Sequence, residues 1–248
     1  MKKVFLALAI IGLLVSCKKD EQPGFSIQAV DLGLSVKWAN ANIGASSIED
    51  YGGYYAWGVT DVYYTHLNPY SWHLRGQNYE NEEEVEVTWK PGKEAGYFWS
   101  SYEWANYIND TVYPIKYTAN DGKMTLDPED DVAHVKLGGN WRIPTKEEFQ
   151  ELIDNCNWTW TQKNGIPGYE VSSKVEGNNN SIFIPADGGI WKKGNKIFTI
   201  QGLYWANTYN SNSPRSAYCL KFTADNDTIV MTSGKYRPNG FPIRAVTE

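Results

Sequence analysis

The chain has 248 residues and a formal charge of −6, from 23 basic and 29 acidic side chains. A field of that sign repels phosphate backbones and anionic headgroups, which excludes nucleic acid and a bare lipid surface as electrostatic partners. The length suits one large domain, and no Pro/Ser/Gly-rich linker long enough to separate two is present.

The chain opens MKKVFLALAIIGLLVSC, with Lys2 and Lys3 ahead of an apolar run at 4–14 that is too short to hold a bilayer as a stable anchor. This is the pattern of an export signal. Leu14, Val15, Ser16 and Cys17 resemble the lipobox of bacterial lipoproteins, which implies cleavage before Cys17, acylation of its thiol and a lipid anchor in the outer membrane. Lys18, Lys19, Asp20 and Glu21 resemble the charged signal that sends lipoproteins of the Bacteroidetes to the outer face of that membrane. The expected organisation is a signal peptide at 1–16, a lipidated tether at 17–28 and one folded domain at 29–248. Loss of 1–16 removes only Lys2 and Lys3 from the 23 basic residues, which leaves 21 against 29 acidic ones and a net charge of −8. No second apolar run approaches membrane-spanning length.

Short β-like runs follow at 36–39 and 54–59, bounded by Gly, Asn, Asp or Pro. From 61 to 121 the pattern changes, and Tyr63, Tyr70, Trp72, Trp89, Trp99 and Trp104 stand among polar residues with no clean period. Such a stretch reads as a long loop insertion, where functional residues concentrate. Flat aromatic faces beside Asn, Gln, Asp and Arg suit the apolar faces and hydroxyls of sugars. The other reading is that these rings pack the insertion onto the core. His66 and His73 lie in the same stretch without a clear third ligand, so no metal site is read there.

Asp127, Glu129, Asp130 and Asp131 could gather oxygens around a calcium ion, but such a run more often forms a solvated turn. In the stretch GGNWRIPTKEEFQELIDNC at 138–156, Thr145 and Glu148 have the capping-box spacing, so a helix is predicted to start at Thr145. Phe149, Leu152, Ile153 and Cys156 then recur on one apolar face, while Glu147, Glu151 and Asp154 fall on the solvated side. Acidic residues in a first turn suit the helix dipole, and they read as architecture rather than as an acid/base pair. Cys156 and Cys219 are the cysteines left once Cys17 is lipidated. An exported protein could join them in a disulfide or bury both as free thiols. Further strands are predicted at 181–184 and 203–207, a hairpin at 218–231 around the polar turn 225–227, and a last strand at 241–246. The expected class is α+β, mostly short antiparallel strands with one or two helices.

The sequence contains no H-E-x-x-H, G-x-S-x-G, G-x-x-x-x-G-K-[ST] or C-x-x-C, and S-x-x-K occurs only as Ser16-Cys17-Lys18-Lys19 at the end of the export signal. No residue set stands out as catalytic, so a non-enzymatic protein without cofactor or metal is expected. Asp110-Thr111-Val112 and Asp227-Thr228-Ile229 resemble the O-glycosylation sequon of Bacteroidetes, which implies modification at Thr111 and Thr228.

The segments AVDLGLSVKWANANIGA, EDYGGYYAWG, LDPEDDVAHVKLGGNWRIPTKEEFQEL, NWTWTQKNGIPGYEVSSKVEGNNNSIFIPADG, LYWANT and FPIRAV, in this order, resemble the Fibrobacter succinogenes major paralogous domain family. That family is abundant in exported Bacteroidetes lipoproteins and looks like part of the C-type lectin-like superfamily. The resemblance covers 29–58 and 126–246, and implies a compact α+β domain with its ends close together and a variable insertion at about 61–121. Calcium-dependent lectins carry Glu-Pro-Asn or Gln-Pro-Asp beside Trp-Asn-Asp, and none of these occurs here, so calcium-dependent sugar binding is not carried over. WRIPTKEEF is similar to a helix-opening segment of formylglycine-generating enzymes, but those use a close cysteine pair, and Cys156 and Cys219 are far apart. Trp38, Trp57, Trp141, Trp158, Trp160 and Trp205 fall inside the shared motifs and are expected mainly in the core. The insertion aromatics are expected to form the binding face for a glycan or a surface protein. The alternatives are a structural subunit of a surface appendage and an enzyme related to the formylglycine-generating enzymes.

Overall fold

The computed structural model describes residues 25–61, 99–100, 102–186, 201–224 and 228–248, together with the backbone of 190–192 and 195–196. The segment 1–24 with Cys17, the insertion residues Tyr63, His66, Tyr70, Trp72, His73 and Trp89, and the turn 225–227 lie outside the described residues.

In chain order the strands and helices are β1 (Ala29–Val30), β2 (Lys37–Ala39), β3 (Ala105–Ile108), β4 (Thr111–Pro114), α1 (Val132–Leu137), α2 (Lys146–Asn155), β5 (Cys156–Lys163), β6 (Ile166–Ser173), β7 (Ser181–Pro185), β8 (Ile190–Lys192), β9 (Asn195–Lys196), β10 (Gln201–Tyr209), β11 (Ser216–Thr223), β12 (Ile229–Tyr236) and β13 (Val246–Thr247). The described strand pairs are antiparallel. The class is therefore α+β with strands dominant.

The sheet β10–β11–β12 organises the core. Every residue of β10 is buried, and because successive side chains point to opposite faces, the strand feeds two clusters. Leu203 and Trp205 pack with Trp57, Ile143, Cys219 and Phe241, whereas Tyr204 and Ala206 pack with Trp38, Phe149, Leu152, Cys156 and Phe222. The two cysteines thus lie on opposite sides of a sheet, and both are buried free thiols. Of the two alternatives open to them this is the free-thiol one: Cys219 faces the side of its register partner Trp205, away from the helix end where Cys156 sits.

Helix α2 forms where its spacing predicts. Thr145 Oγ1 accepts the Glu148 N–H at 3.1 Å, and Glu148 Oε2 accepts the Thr145 N–H at 2.8 Å. Phe149 and Leu152 are fully buried, while Cys156 ends the helix and begins β5. Glu151 departs from its expected solvated role, since its carboxylate accepts the Ser35 N–H at 2.9 Å and the Ser35 hydroxyl at 2.5 Å. The β5–β6 hairpin was not anticipated. Its turn is Asn164-Gly165, with φ of 49° and 82°, the two left-handed residues that match the twist of paired strands.

Two predicted strands do not form as such. The segment 54–59 carries bridge residues at Tyr54 and Tyr55 alone, the latter opposite Phe241, and 241–246 contributes Val246 alone to β13. Their backbones are satisfied singly, for example Ile43 N–H to Ile243 at 3.0 Å, Ala39 N–H to Ala245 at 2.9 Å and Trp57 N–H to Arg237 at 2.8 Å. Arg244 fastens this region. Its Nε donates to Asn42 Oδ1 at 2.9 Å, Nη1 to the Ala39 carbonyl at 3.0 Å and Nη2 to the Phe183 carbonyl at 2.8 Å. In the first sheet β2 lies between β1 and β13, with Trp38 opposite both Val30 and Val246, so residues early and late in the chain meet.

Candidate functional site

The site is built from the acidic run upward. Asp131 caps α1 by accepting the N–H groups of Ala133 at 2.9 Å and His134 at 3.2 Å on Oδ1, and its Oδ2 accepts the Ile143 N–H at 2.8 Å. One carboxylate therefore ties the start of the helix to the segment beyond it. Burial pushes the Asp131 carboxyl above its ordinary range despite these three donors. Gly138 and Gly139, with φ of 70° and 56°, end α1 in the left-handed region and turn the chain back. Arg142 then exchanges backbone hydrogen bonds with Val246 at 3.0 and 2.9 Å, and Pro144 accepts the Asn207 N–H at 2.8 Å.

These connections leave an open cleft of about 410 Å³. It is lined by His134 of α1, by Asn140, Trp141 and Arg142 of the turn, by Asn207 of β10, by Thr125, Leu126 and Pro128, and by Glu248. Arg142 is held in place by Glu148, Nη1 to Oε2 at 2.7 Å and Nη2 to Oε1 at 2.5 Å. The pairing raises the guanidinium further above its ordinary value. Burial works against the Glu148 carboxylate, but the guanidinium and the Thr145 N–H outweigh it and hold the group below its usual range.

The cleft offers an indole face, two carboxamides, an imidazole and a guanidinium whose charge is already balanced. Among its hydroxyls, that of Thr145 is engaged as the helix cap. Such a lining has the groups to meet a small polar ligand by hydrogen bonds and ring contact, and the volume falls within the roughly 300–1,000 Å³ of small-molecule sites.

The residues singled out by sequence fall elsewhere or serve other ends. Trp99 is half-buried, stacking edge-on against Tyr102 at 5.6 Å and Tyr236 at 6.0 Å. Trp104 donates from Nε1 to the Gly58 carbonyl at 2.6 Å, with Lys116 Nζ 4.9 Å from its ring centre. Both pack against the cluster of Tyr54, Tyr102 and Val112, the packing alternative rather than an open face. Thr111 is half-buried beside the tight turn at Asn109 and Asp110, with φ of 46° and 59°, and Thr228 is exposed. In the acidic run, Asp127 pairs with Lys116 at 3.2 Å and Lys123 at 2.5 Å, and Asp130 takes Lys116 and the Tyr117 hydroxyl. Among the described residues no group of three or more His, Cys, Asp or Glu is placed to hold a metal ion.

Of the cleft residues, the sequence places Trp141 in the core and Asn207 at the end of the predicted strand 203–207, and it marks neither as a site. The available signal was the run Gly138-Gly139-Asn140 just ahead of Trp141 and Arg142, where a turn exposes side chains that a strand would bury. Compared with known protein families, curated proteins and solved structures, the chain matches none.

Proposed function

We propose that this protein is a lipid-anchored, surface-displayed binding module of the outer membrane that takes a glycan without chemically changing it. The cleft between α1, the 138–145 turn and the end of β10 is its recognition site. The observation that carries the reading is the lining itself: Trp141 offers a ring face, Asn140 and Asn207 offer amides, and Arg142 is neutralised by Glu148. Amides recognise hydroxyls in both directions, and an indole covers the C–H face of a sugar ring. The lipid anchor is supported by Lys2, Lys3, the apolar run and Cys17. A C-type lectin-like topology of the family resembled by its motifs belongs to the same proposal. It draws support from β2 lying between β1 and β13. Sugar attachment at Thr111 and Thr228 is proposed with it, the exposed Thr228 being the more open acceptor.

The test is a glycan array probed with the purified full-length protein in detergent, with calcium and with a chelator. A specific hit that survives chelation and is lost in Trp141→Ala, with the melting temperature kept, is the expected result. A blank array, or binding untouched by the Trp141 change, sinks the proposal. A protein ligand would then be sought by crosslinking on the cell surface.

A further inference from the structure

We infer that the cleft selects a sugar carrying an acetamido group; this rests on the glycan-binding reading and adds the substituent. Asn207 and Leu126 are neighbours across the cleft wall, the Leu126 N–H donating to the Asn207 carbonyl at 3.3 Å, and both line the cavity. The Asn207 side-chain oxygen accepts the Thr208 hydroxyl at 3.4 Å, while among the described residues its amide nitrogen meets no acceptor. Asn207 is only 6% exposed as a residue, yet its amide nitrogen is not one of the fully buried unpartnered atoms, so it keeps surface through which a ligand can be met. Beside it Leu126 and Pro128 present carbon.

An acetamido group bears its carbonyl oxygen and its methyl on one carbon. It therefore needs a hydrogen-bond donor and an apolar patch side by side, which is what Asn207 and Leu126 supply. A hydroxyl in that place would meet the donor and leave the patch facing water. Charge points the same way. Glu148 already balances Arg142, three backbone N–H groups take up Asp131, and the carboxylate of Glu248 also borders the cleft. Nothing there favours an acidic sugar over an uncharged one.

The experiment titrates the full-length protein in detergent with N,N′-diacetylchitobiose and with cellobiose, its hydroxyl counterpart, by calorimetry. The hydrogen bond is common to both, so the one buried methyl predicts an advantage of about fourfold for the acetamido disaccharide. Asn207→Asp, which replaces the donor by an acceptor, is expected to abolish that advantage, with the melting temperature reporting whether the fold survives. Leu126→Ser is a second route to the same loss. Equal affinity for both disaccharides overturns the acetamido inference and leaves the glycan reading standing. Binding of neither overturns both.

Discussion

Glu148 grips Arg142 with both carboxylate oxygens, at 2.7 and 2.5 Å, while the oxygen at 2.7 Å also accepts the Thr145 N–H at 2.8 Å. The side chain that closes the capping box of α2 therefore also fixes a wall of the cleft. Glu148→Gln keeps an oxygen acceptor for Thr145 but removes the charge and one of the two acceptors of Arg142. With the pair one-third and one-eighth exposed, a loss of about 1 kcal/mol is expected in urea melts at neutral pH. The sign with pH follows from the depressed folded value of Glu148. Its contribution is complete above the unfolded value of about 4.3 and is lost as pH falls through the lower folded value, so the gap between the two proteins should close in acid. A gap that persists or widens there would contradict the pairing.

Arg244 and Arg237 are both fully buried, and they differ in what they touch. Arg244 reaches three acceptors, and burial pushes its guanidinium down to about 10. Arg237 gives Nη1 to the Lys116 and Tyr117 carbonyls at 3.0 and 3.3 Å and lies between the rings of Trp57 and Tyr102, yet its Nε and Nη2 meet no acceptor. Removing a satisfied buried cation strands its partners, whereas replacing a half-satisfied one by an apolar side chain relieves a desolvation cost. Arg244→Met is expected to cost about 3 kcal/mol or more, and Arg237→Met no more than about 1 kcal/mol. Denaturant unfolding of the two variants side by side tests the order.

Gly202 stands opposite Phe222 in the β10–β11 register, and a Cβ there would come within 2.0 to 2.6 Å of the ring. The ring cannot easily retreat, since Tyr169 meets it edge-on at 5.3 Å and Tyr204 stacks on it at 6.1 Å. Gly202→Ala should cost about 1–3 kcal/mol by overpacking. Adding Phe222→Leu should recover part of that loss, so the double variant should be more stable than the two single changes predict together. Simple additivity would show that the ring and the glycine are not coupled.

Local patterns carried well from sequence to structure. Thr145, Glu148, Phe149 and Leu152 are all within one short segment, and α2 follows from them; the alternation at 218–222 and 229–231 likewise yields β11 and β12. Asn164-Gly165 was an equally local signal for the β5–β6 hairpin and went unread. By contrast, 54–59 and 241–246 have the composition of strands, but their partners lie far along the chain and engage one bond at a time. The cleft was hidden for the same reason. Asp131 meets Ile143, Pro144 meets Asn207 and Arg142 meets Val246, and no spacing in the sequence announces those meetings. Trp141, grouped by its motif with core residues such as Trp205, instead sits half-buried at the edge of the core and on the cleft.

The two thiols give a direct check on the core. Burial raises the Cys156 thiol to about 11 and the Cys219 thiol to about 12, so neither forms an appreciable thiolate at neutral pH, and both are screened from reagents. In the native protein neither should react with a disulfide reagent over minutes, and both should react once the chain is unfolded in guanidinium without reductant. Cys219 packs among Trp205, Ile143 and Phe241 with no exposed surface, so Cys219→Ser places a hydroxyl in a mainly apolar cluster. That change should cost about 1–3 kcal/mol, more than Cys219→Ala at the same site if the polar term outweighs the small cavity. Native reactivity at Cys219, or a mass two hydrogens lower for the unreduced chain, would mean that the two sides of the β10–β11–β12 sheet are not separated as described.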